Sequence, residues 1–156
     1  MIYLQDHVAV LAGGEDLVRR TLDKTRLPEL RRLLDDVLPE LRDDRAALVR
    51  LLGGLGRGPS AVKVQLARLV ERAGRLKLNG HLTGYSPLSR VVELEGIAGV
   101  LAATRSAWRA LEQAGPEDVR EDAARRARRL DERIAQVEEL RLLAAEVAFT
   151  GGGRRL

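Results

Sequence analysis

Four acidic residues lie within or beside the apolar stripes of predicted helices. Glu15 fills the gap in one series of apolar residues spaced four and three apart, and Asp44 fills the equivalent gap in a second series. Glu40 lies one turn before Asp44 on nearly the same face, and Glu95 edges a third stripe. Burying a carboxylate is costly unless it is paired or binds a metal. Acids on the seams of facing helices therefore indicate a carboxylate-bound metal site suited to Mn, Mg or Fe(II).

The alternative for these carboxylates is an ion pair with arginine. Arg45, Arg105 and Arg109 are available on the predicted helices. A paired arginine offsets the desolvation of a seam carboxylate without any metal. Both interpretations require Glu15 and Asp44 to face another helix rather than solvent.

A second candidate site is the basic region at residues 57–90. It contains seven Lys or Arg residues against the single acid Glu71, and a glycine-punctuated loop at 75–86 runs into a predicted helix start. The amides of a helix start favour anions, so we predict an anion-binding set of Arg72, Arg75, Lys77 and Arg90. The phosphate-loop motif G-x-x-x-x-G-K-[ST] is absent. The alternative is a solvated basic face beside a crossover loop.

The arginine-rich run at 122–133 is the strongest sequence feature that could indicate nucleic-acid binding. Acidic residues lie three or four positions from most of its arginines, which is typical of a salt-linked solvent face. The few aromatic residues are too scattered to form a base-stacking surface. We therefore expect no nucleic-acid partner.

Composition excludes several classes of site. The chain of 156 residues has no cysteine and only two histidines, His7 and His81, which rules out thiolate chemistry, disulfides and three-histidine metal centres. No nucleophile can be placed against His7, so no catalytic triad is indicated. The first residues lack a secretory signal and no window is apolar enough to span a membrane. We expect a cytoplasmic protein, and the preference for arginine over lysine suggests a GC-rich bacterial genome.

Helix start and stop signals divide the chain into five predicted helices and no strands. Pro39, inside the second helix, is expected to bend or divide it. We predict an all-α antiparallel four-helix bundle in one domain, residues 1–149, with an irregular third helix and loop and a flexible tail at 150–156. The predicted helices span 2–24, 28–54, 59–74, 87–114 and 116–149.

The helix order, the break before the fourth helix and the acids within helices one, two and four resemble the ferritin-like superfamily, over roughly Leu4 to Val147. The resemblance is to small bacterial branches of it. Metal-binding members hold their metals with carboxylates and Glu-x-x-His pairs, and no such pair occurs here: Glu132 is followed by Ala135, and Glu138 by Arg141. The resemblance thus implies a bundle that keeps the fold and has lost an intact di-iron oxidase centre.

The function that we expect is non-enzymatic: partner binding or self-association, with a degenerate metal site and no cofactor. Alanines on the last helix permit close helix approach, and a homodimer through one face would use them. Two alternatives stay open. One is a carboxylate-bound Fe or Mn storage or redox protein, and the other is a binder of an anionic ligand through residues 57–90.

Overall fold

The computed structural model describes residues 2–54 and 87–150, which form four helices and no strand. The predicted all-α four-helix architecture is confirmed for this part of the chain, and four of the predicted helices have the expected bounds within two residues. The third predicted helix, the loop at 75–86 and residues 151–156 of the predicted tail lie outside the described residues, whereas Thr150, the first residue of that predicted tail, ends the last helix. The helices are α1 (Ile2–Lys24), α2 (Pro28–Gly54), α3 (Pro87–Ala114) and α4 (Glu117–Thr150).

Local signals explain where the helices begin and end. Pro28 and Pro87 each occupy the first position of a helix, where the missing N–H removes no intrahelical bond. Glu117 and Asp118 lie in the first turn of α4, at the positive end of its dipole. The backbone N–H of Gly115 donates to the Leu111 carbonyl at 2.8 Å and closes the end of α3. These signals are local, so sequence alone was enough to find them.

Pro39 does not divide α2, which runs unbroken from Pro28 to Gly54. A proline inside a helix removes one hydrogen bond and costs about 3 kcal/mol. Pro39 itself is exposed, while Val37 and Leu41 on the adjacent face are fully buried. Burial of that face offsets the lost hydrogen bond and keeps the helix continuous.

The four helices enclose one hydrophobic core made largely of leucine, valine and alanine, with Trp108 as its largest fully buried side chain. Helix α1 packs against α2 and α3, and α4 packs against α3 and α2. Of these neighbouring pairs, α2 and α4 approach each other least closely along their backbones. Long side chains are therefore needed to join α2 to α4.

The α1–α3 contact depends on glycine. Gly14 is buried, and a Cβ atom at this position would lie 2.4 Å from Cγ1 of Val100 on α3. Two carbon atoms that are not bonded to each other cannot lie that close. The two helices therefore approach this closely because Gly14 has no side chain. In contrast, a Cβ at the neighbouring Gly13 would meet nothing within 4 Å.

None of the described helices combines the length and the hydrophobicity that crossing a bilayer requires.

Candidate functional site

The centre of the α2–α4 interface is an acidic side chain without solvent exposure. Asp44 on α2 is 0 % exposed. Its Oδ1 accepts a hydrogen bond from Nη1 of Arg126 at 2.8 Å, and its Oδ2 accepts one from Nη2 of Arg129 at 2.7 Å. Both carboxylate oxygens are thus satisfied by guanidinium groups from α4. This arrangement meets the requirement that a buried charge be paired and hydrogen-bonded.

The network continues along both helices. One turn before Asp44, Glu40 binds Arg133 through two hydrogen bonds of 2.7 and 3.1 Å. Arg126 also donates to Asp43 and to Asp122, each at 2.7 Å. The result is a ladder of ion pairs along the α2–α4 interface, which we call the α2–α4 ladder; its members are Asp36, Glu40, Asp43, Asp44, Asp122, Arg126, Arg129 and Arg133.

Helical spacing explains why the ladder forms. Asp36, Glu40 and Asp44 are four residues apart and share one face of α2, while Arg126, Arg129 and Arg133 are three and four residues apart on one face of α4. Fewer backbone positions come close to each other between these two helices than between the other neighbouring helix pairs. Arginine is long enough to span the gap between them and presents a planar fork of donors that matches a carboxylate. The ladder therefore fills the space between α2 and α4 with paired charge.

Burial and pairing act in opposite directions on the pKa values of the ladder. Burial raises the pKa of Asp44, and this effect exceeds the lowering by Arg129 and Arg126. Burial would lower the pKa of Arg126, but its hydrogen bonds to Asp122, Asp44 and Asp43 raise it further above its usual range. Its guanidinium therefore stays charged.

Arg126 also connects the ladder to the hydrophobic core. Its guanidinium carbon lies 5.0 Å from the ring centroid of Trp108 on α3, a cation–π distance. A single side chain of α4 therefore contacts acids on α2 and the largest core residue on α3. We infer that Arg126 fixes the relative positions of three helices.

Glu15 forms an ion pair with arginine, which is the alternative to a metal ligand considered from sequence. Its side chain is 13 % exposed and accepts hydrogen bonds from Nε and Nη2 of Arg45 on α2 at 2.5 and 3.2 Å. The prediction that Glu15 and Asp44 face another helix is confirmed. Glu15 lies at the α1–α2 interface, however, and Asp44 lies at the α2–α4 interface.

Glu95 lies at a third interface, between α3 and α4. Its side chain is 54 % exposed and lies 3.4 Å from Nη1 of Arg141 across the α3–α4 interface. The same guanidinium makes two hydrogen bonds of 2.6 Å to Glu138. The two other arginines considered from sequence, Arg105 and Arg109, both bind Asp131 instead of any of the four predicted ligands.

The predicted metal site of Glu15, Glu40, Asp44 and Glu95 is not assembled. The structure brings Glu40 and Asp44 together through Arg129, and it leaves Glu15 and Glu95 at other interfaces. Across residues 2–54 and 87–150, no three His, Asp or Glu side chains are grouped as metal ligands. The physical reason is that the four carboxylates lie at three different helix interfaces, and those of Glu15, Glu40 and Asp44 are paired with arginine. A cation would have to displace guanidinium groups to reach them.

Three members of the predicted anion-binding set, Arg72, Arg75 and Lys77, lie outside the described residues. The fourth, Arg90, is only 3 % exposed, and its Nη1 lies 3.3 Å from Oε2 of Glu93 in the same helix. Arg90 is therefore a buried residue with an acidic neighbour and not part of an exposed basic surface. The prediction for the other three residues stays a prediction.

Sequence reasoning missed the role of Arg126, Arg129 and Arg133. It assigned the whole arginine run to a solvent face, and this is right for Arg125, which pairs with Glu121 and Asp122 on its own helix. The other three turn toward α2. The available signal was a matching spacing: acids at 36, 40 and 44 and arginines at 126, 129 and 133 each form a single helical stripe.

No protein-family model, no curated protein and no solved structure matches this chain.

Proposed function

We propose that this protein is a non-enzymatic helical bundle that acts by self-association, as a homodimer in the bacterial cytoplasm. The observation that carries the proposal is a set of large apolar side chains that remain exposed at one end of the α3–α4 pair. Three are on α4: Leu142, Leu143 and Phe149, which are 55, 48 and 78 % exposed. Two are on α3: Leu88 and Val92, which are 52 and 49 % exposed. We call these five residues the terminal apolar set.

One ion pair between the helices supports placing the five residues at the same end of the α3–α4 pair. Glu95 lies one turn beyond Val92 on the same stripe of α3, and it reaches Arg141, the residue before Leu142 on α4. Leu142 and Phe149 are seven residues apart, so they share a face of α4. Single exposed apolar residues are ordinary on protein surfaces, whereas a group of them marks an interaction site.

A second copy of the chain is the occupant that the surface favours. An apolar surface is complementary to itself, and a two-fold axis would bring the same residues of both copies together. Other parts of α4 are already used within the bundle: Ala123, Ala127 and Ala144 are buried in the core. Part of the alanine face that sequence suggested for a dimer is therefore occupied by the core, and this proposal places the dimer contact at the terminal apolar set instead.

The pairing of the interior carboxylates supports a role without catalysis. The carboxylates of Asp44, Glu40 and Glu15 all accept hydrogen bonds from arginine. A general acid or base exchanges a proton with substrate, and a metal ion bound to these carboxylates would lie beside the positive guanidinium groups that already bind them. Salt-linked carboxylates in a helix interface instead align the helices with each other.

We further propose the antiparallel, ferritin-like arrangement of the bundle. The order of the ion pairs supports it: Glu40 pairs with Arg133, and Asp44, farther along α2, pairs with Arg129 and Arg126, which come earlier in α4. The ion pairs between α3 and α4 indicate that these helices are also antiparallel. Glu95 pairs with Arg141, whereas Arg105, farther along α3, pairs with Asp131, which comes earlier in α4.

Sedimentation equilibrium tests the self-association. We expect the full chain to be dimeric at micromolar concentration, and the double variant Leu142→Glu with Phe149→Glu to be monomeric, since four buried carboxylates in the dimer would be unpaired. Val10→Glu is the matched control, because Val10 is an exposed apolar residue on α1 outside the set. Circular dichroism verifies that all three proteins are folded. A monomeric wild type, or a double variant that dimerises as the wild type does, would refute the proposal.

A further inference from the structure

A cavity of about 380 Å³ opens where the end of α2 meets the turn between α3 and α4. Its apolar wall consists of Leu51 from α2, Trp108 and Leu111 from α3, and Val119 from α4. The polar groups at the cavity come from Arg50, Asp118 and Asp122. The volume falls within the range of small-molecule sites, roughly 300–1,000 Å³, and a mostly apolar wall with a few polar groups is the usual composition of such sites.

Among the described residues, Arg50 and Asp118 are the charged groups at this cavity that make no ion pair. Asp122 is bound by Arg125 and Arg126. Asp118 lies in the first turn of α4, where the helix dipole stabilises a negative charge. Arg50 is exposed and makes no ion pair with any residue in 2–54 or 87–150. A ligand carboxylate would accept charge-assisted hydrogen bonds from the guanidinium of Arg50.

The wall contains a second unused group. Trp108 is fully buried, and its Nε1–H has no hydrogen-bond acceptor among the residues that the structure describes. Buried indole N–H groups ordinarily have a partner. The residue that carries this unsatisfied donor is also one of the residues that line the cavity.

We propose that the cavity binds a small organic anion with an apolar body, such as an aryl-substituted or branched carboxylate. The carboxylate binds Arg50, and the apolar body packs against Leu51, Leu111 and Val119 over Trp108. The site is independent of the terminal apolar set, which involves the opposite ends of α3 and α4. Loss of self-association would therefore leave this site intact.

The chain supplies its own reporter, because Trp108 is the only tryptophan. The probe is 4-phenylbutyrate, titrated against tryptophan emission, with neutral 4-phenylbutanol as the comparison. We expect a saturable change in emission with the carboxylate, at a dissociation constant on the order of 1 mM for a ligand of this size. The alcohol should bind about tenfold more weakly, because it cannot form the charge-assisted bonds to Arg50.

Two variants separate the proposal from unspecific binding. Arg50→Gln should weaken the binding of 4-phenylbutyrate about tenfold and leave the binding of 4-phenylbutanol unchanged. Arg20→Gln removes a cation that is exposed on α1 and should change neither. The proposal is overturned if wild type shows no saturable response, if Arg50→Gln binds the carboxylate as tightly as wild type, or if Arg20→Gln weakens binding equally. The melting temperature of Arg50→Gln without ligand verifies that the variant is folded.

Discussion

The carboxylate of Asp44 and the guanidinium of Arg126 lie 2.8 Å apart inside the bundle, although 82 residues separate them in the chain. The Asp44 side chain is 0 % exposed and that of Arg126 is 12 % exposed. Water therefore screens this pair far less than it screens a surface pair. Because Arg126 also lies over Trp108, this ion pair joins the α2–α4 ladder to the hydrophobic core.

Asp44→Ala should lower the free energy of unfolding by about 2–3 kcal/mol, because it removes a buried acceptor from Arg126 and Arg129. The loss is below that of an isolated buried pair, since Arg126 keeps Asp43 and Asp122 as partners. Urea denaturation followed by circular dichroism measures it.

Asp43→Ala is the matched control for that variant. Asp43 is the adjacent residue and binds the same Nη1 of Arg126, but its side chain is 53 % exposed. An exposed pair of this kind contributes below about 1 kcal/mol. If both alanine variants lose the same stability, burial of Asp44 is not what makes the ladder strong.

Gly14→Ala should destabilise the protein by about 1–3 kcal/mol, because the new Cβ would overlap Val100 on α3. Gly13→Ala should instead stabilise it by about 0.5–1 kcal/mol, since a Cβ there meets nothing and alanine favours a helix. Thermal melts of the two variants therefore shift in opposite directions. Val100→Ala should restore part of the loss in Gly14→Ala, and a full loss in the double variant would show that Val100 is not the obstacle.

Stability should decline in acid. Hydrogen bonds from Arg105 hold the pKa of Asp131 below its usual value; burial opposes this effect and Arg109 reinforces it. Burial alone would raise the pKa of Asp122, but hydrogen bonds and attraction from Arg126 and Arg125 bring it below its usual value. A lowered native pKa contributes stability that is complete above the unfolded pKa and is lost as pH falls through the native one. We expect the urea midpoint, measured between about pH 6 and pH 2, to decrease once the pH is below about 4. The decrease should be smaller in Asp131→Asn.

Asp44 should act in the opposite direction. Burial raises its pKa, so its contribution is complete at low pH and is lost as pH rises through the raised native value. Removing this titration in Asp44→Asn should make the acid decline of the urea midpoint steeper than in wild type. A shallower decline would mean that its arginines hold the pKa of Asp44 below its usual value.

Metal ions should not stabilise the folded protein. Arginine neutralises Glu15, Glu40 and Asp44. A metal that did bind the folded protein, at a concentration 100 times its dissociation constant, would raise the free energy of unfolding by about 2.7 kcal/mol. Anaerobic addition of Fe(II) or Mn(II), and treatment with EDTA, should leave the melting temperature unchanged. Stoichiometric metal in the purified protein, with a melt raised by several degrees and lost in Glu40→Ala, would restore the carboxylate-site hypothesis.

Sequence determined the helices of this protein and the positions of its interior acids. Helix bounds depend on proline, glycine and acidic residues within a turn of each end, so they are encoded locally. The gap at Asp44 in an apolar stripe was enough to predict a carboxylate facing another helix, and the structure has it fully buried. A period of 3.6 residues reports which face of a helix is interior.

Only the tertiary structure decided what those interior acids contact. Periodicity indicates that Asp44 and Glu15 face a neighbour, but it does not say that the neighbours are different helices. The arginines of α4 have acidic neighbours close in sequence. Arg125 binds such neighbours on its own helix, whereas Arg126 keeps its neighbour Asp122 and also reaches across the interface to Asp44. That choice depends on the gap between α2 and α4, which arginine is long enough to span. The distance between two helices is set by everything packed around them, Gly14 against Val100 included, and no local stretch of sequence contains it.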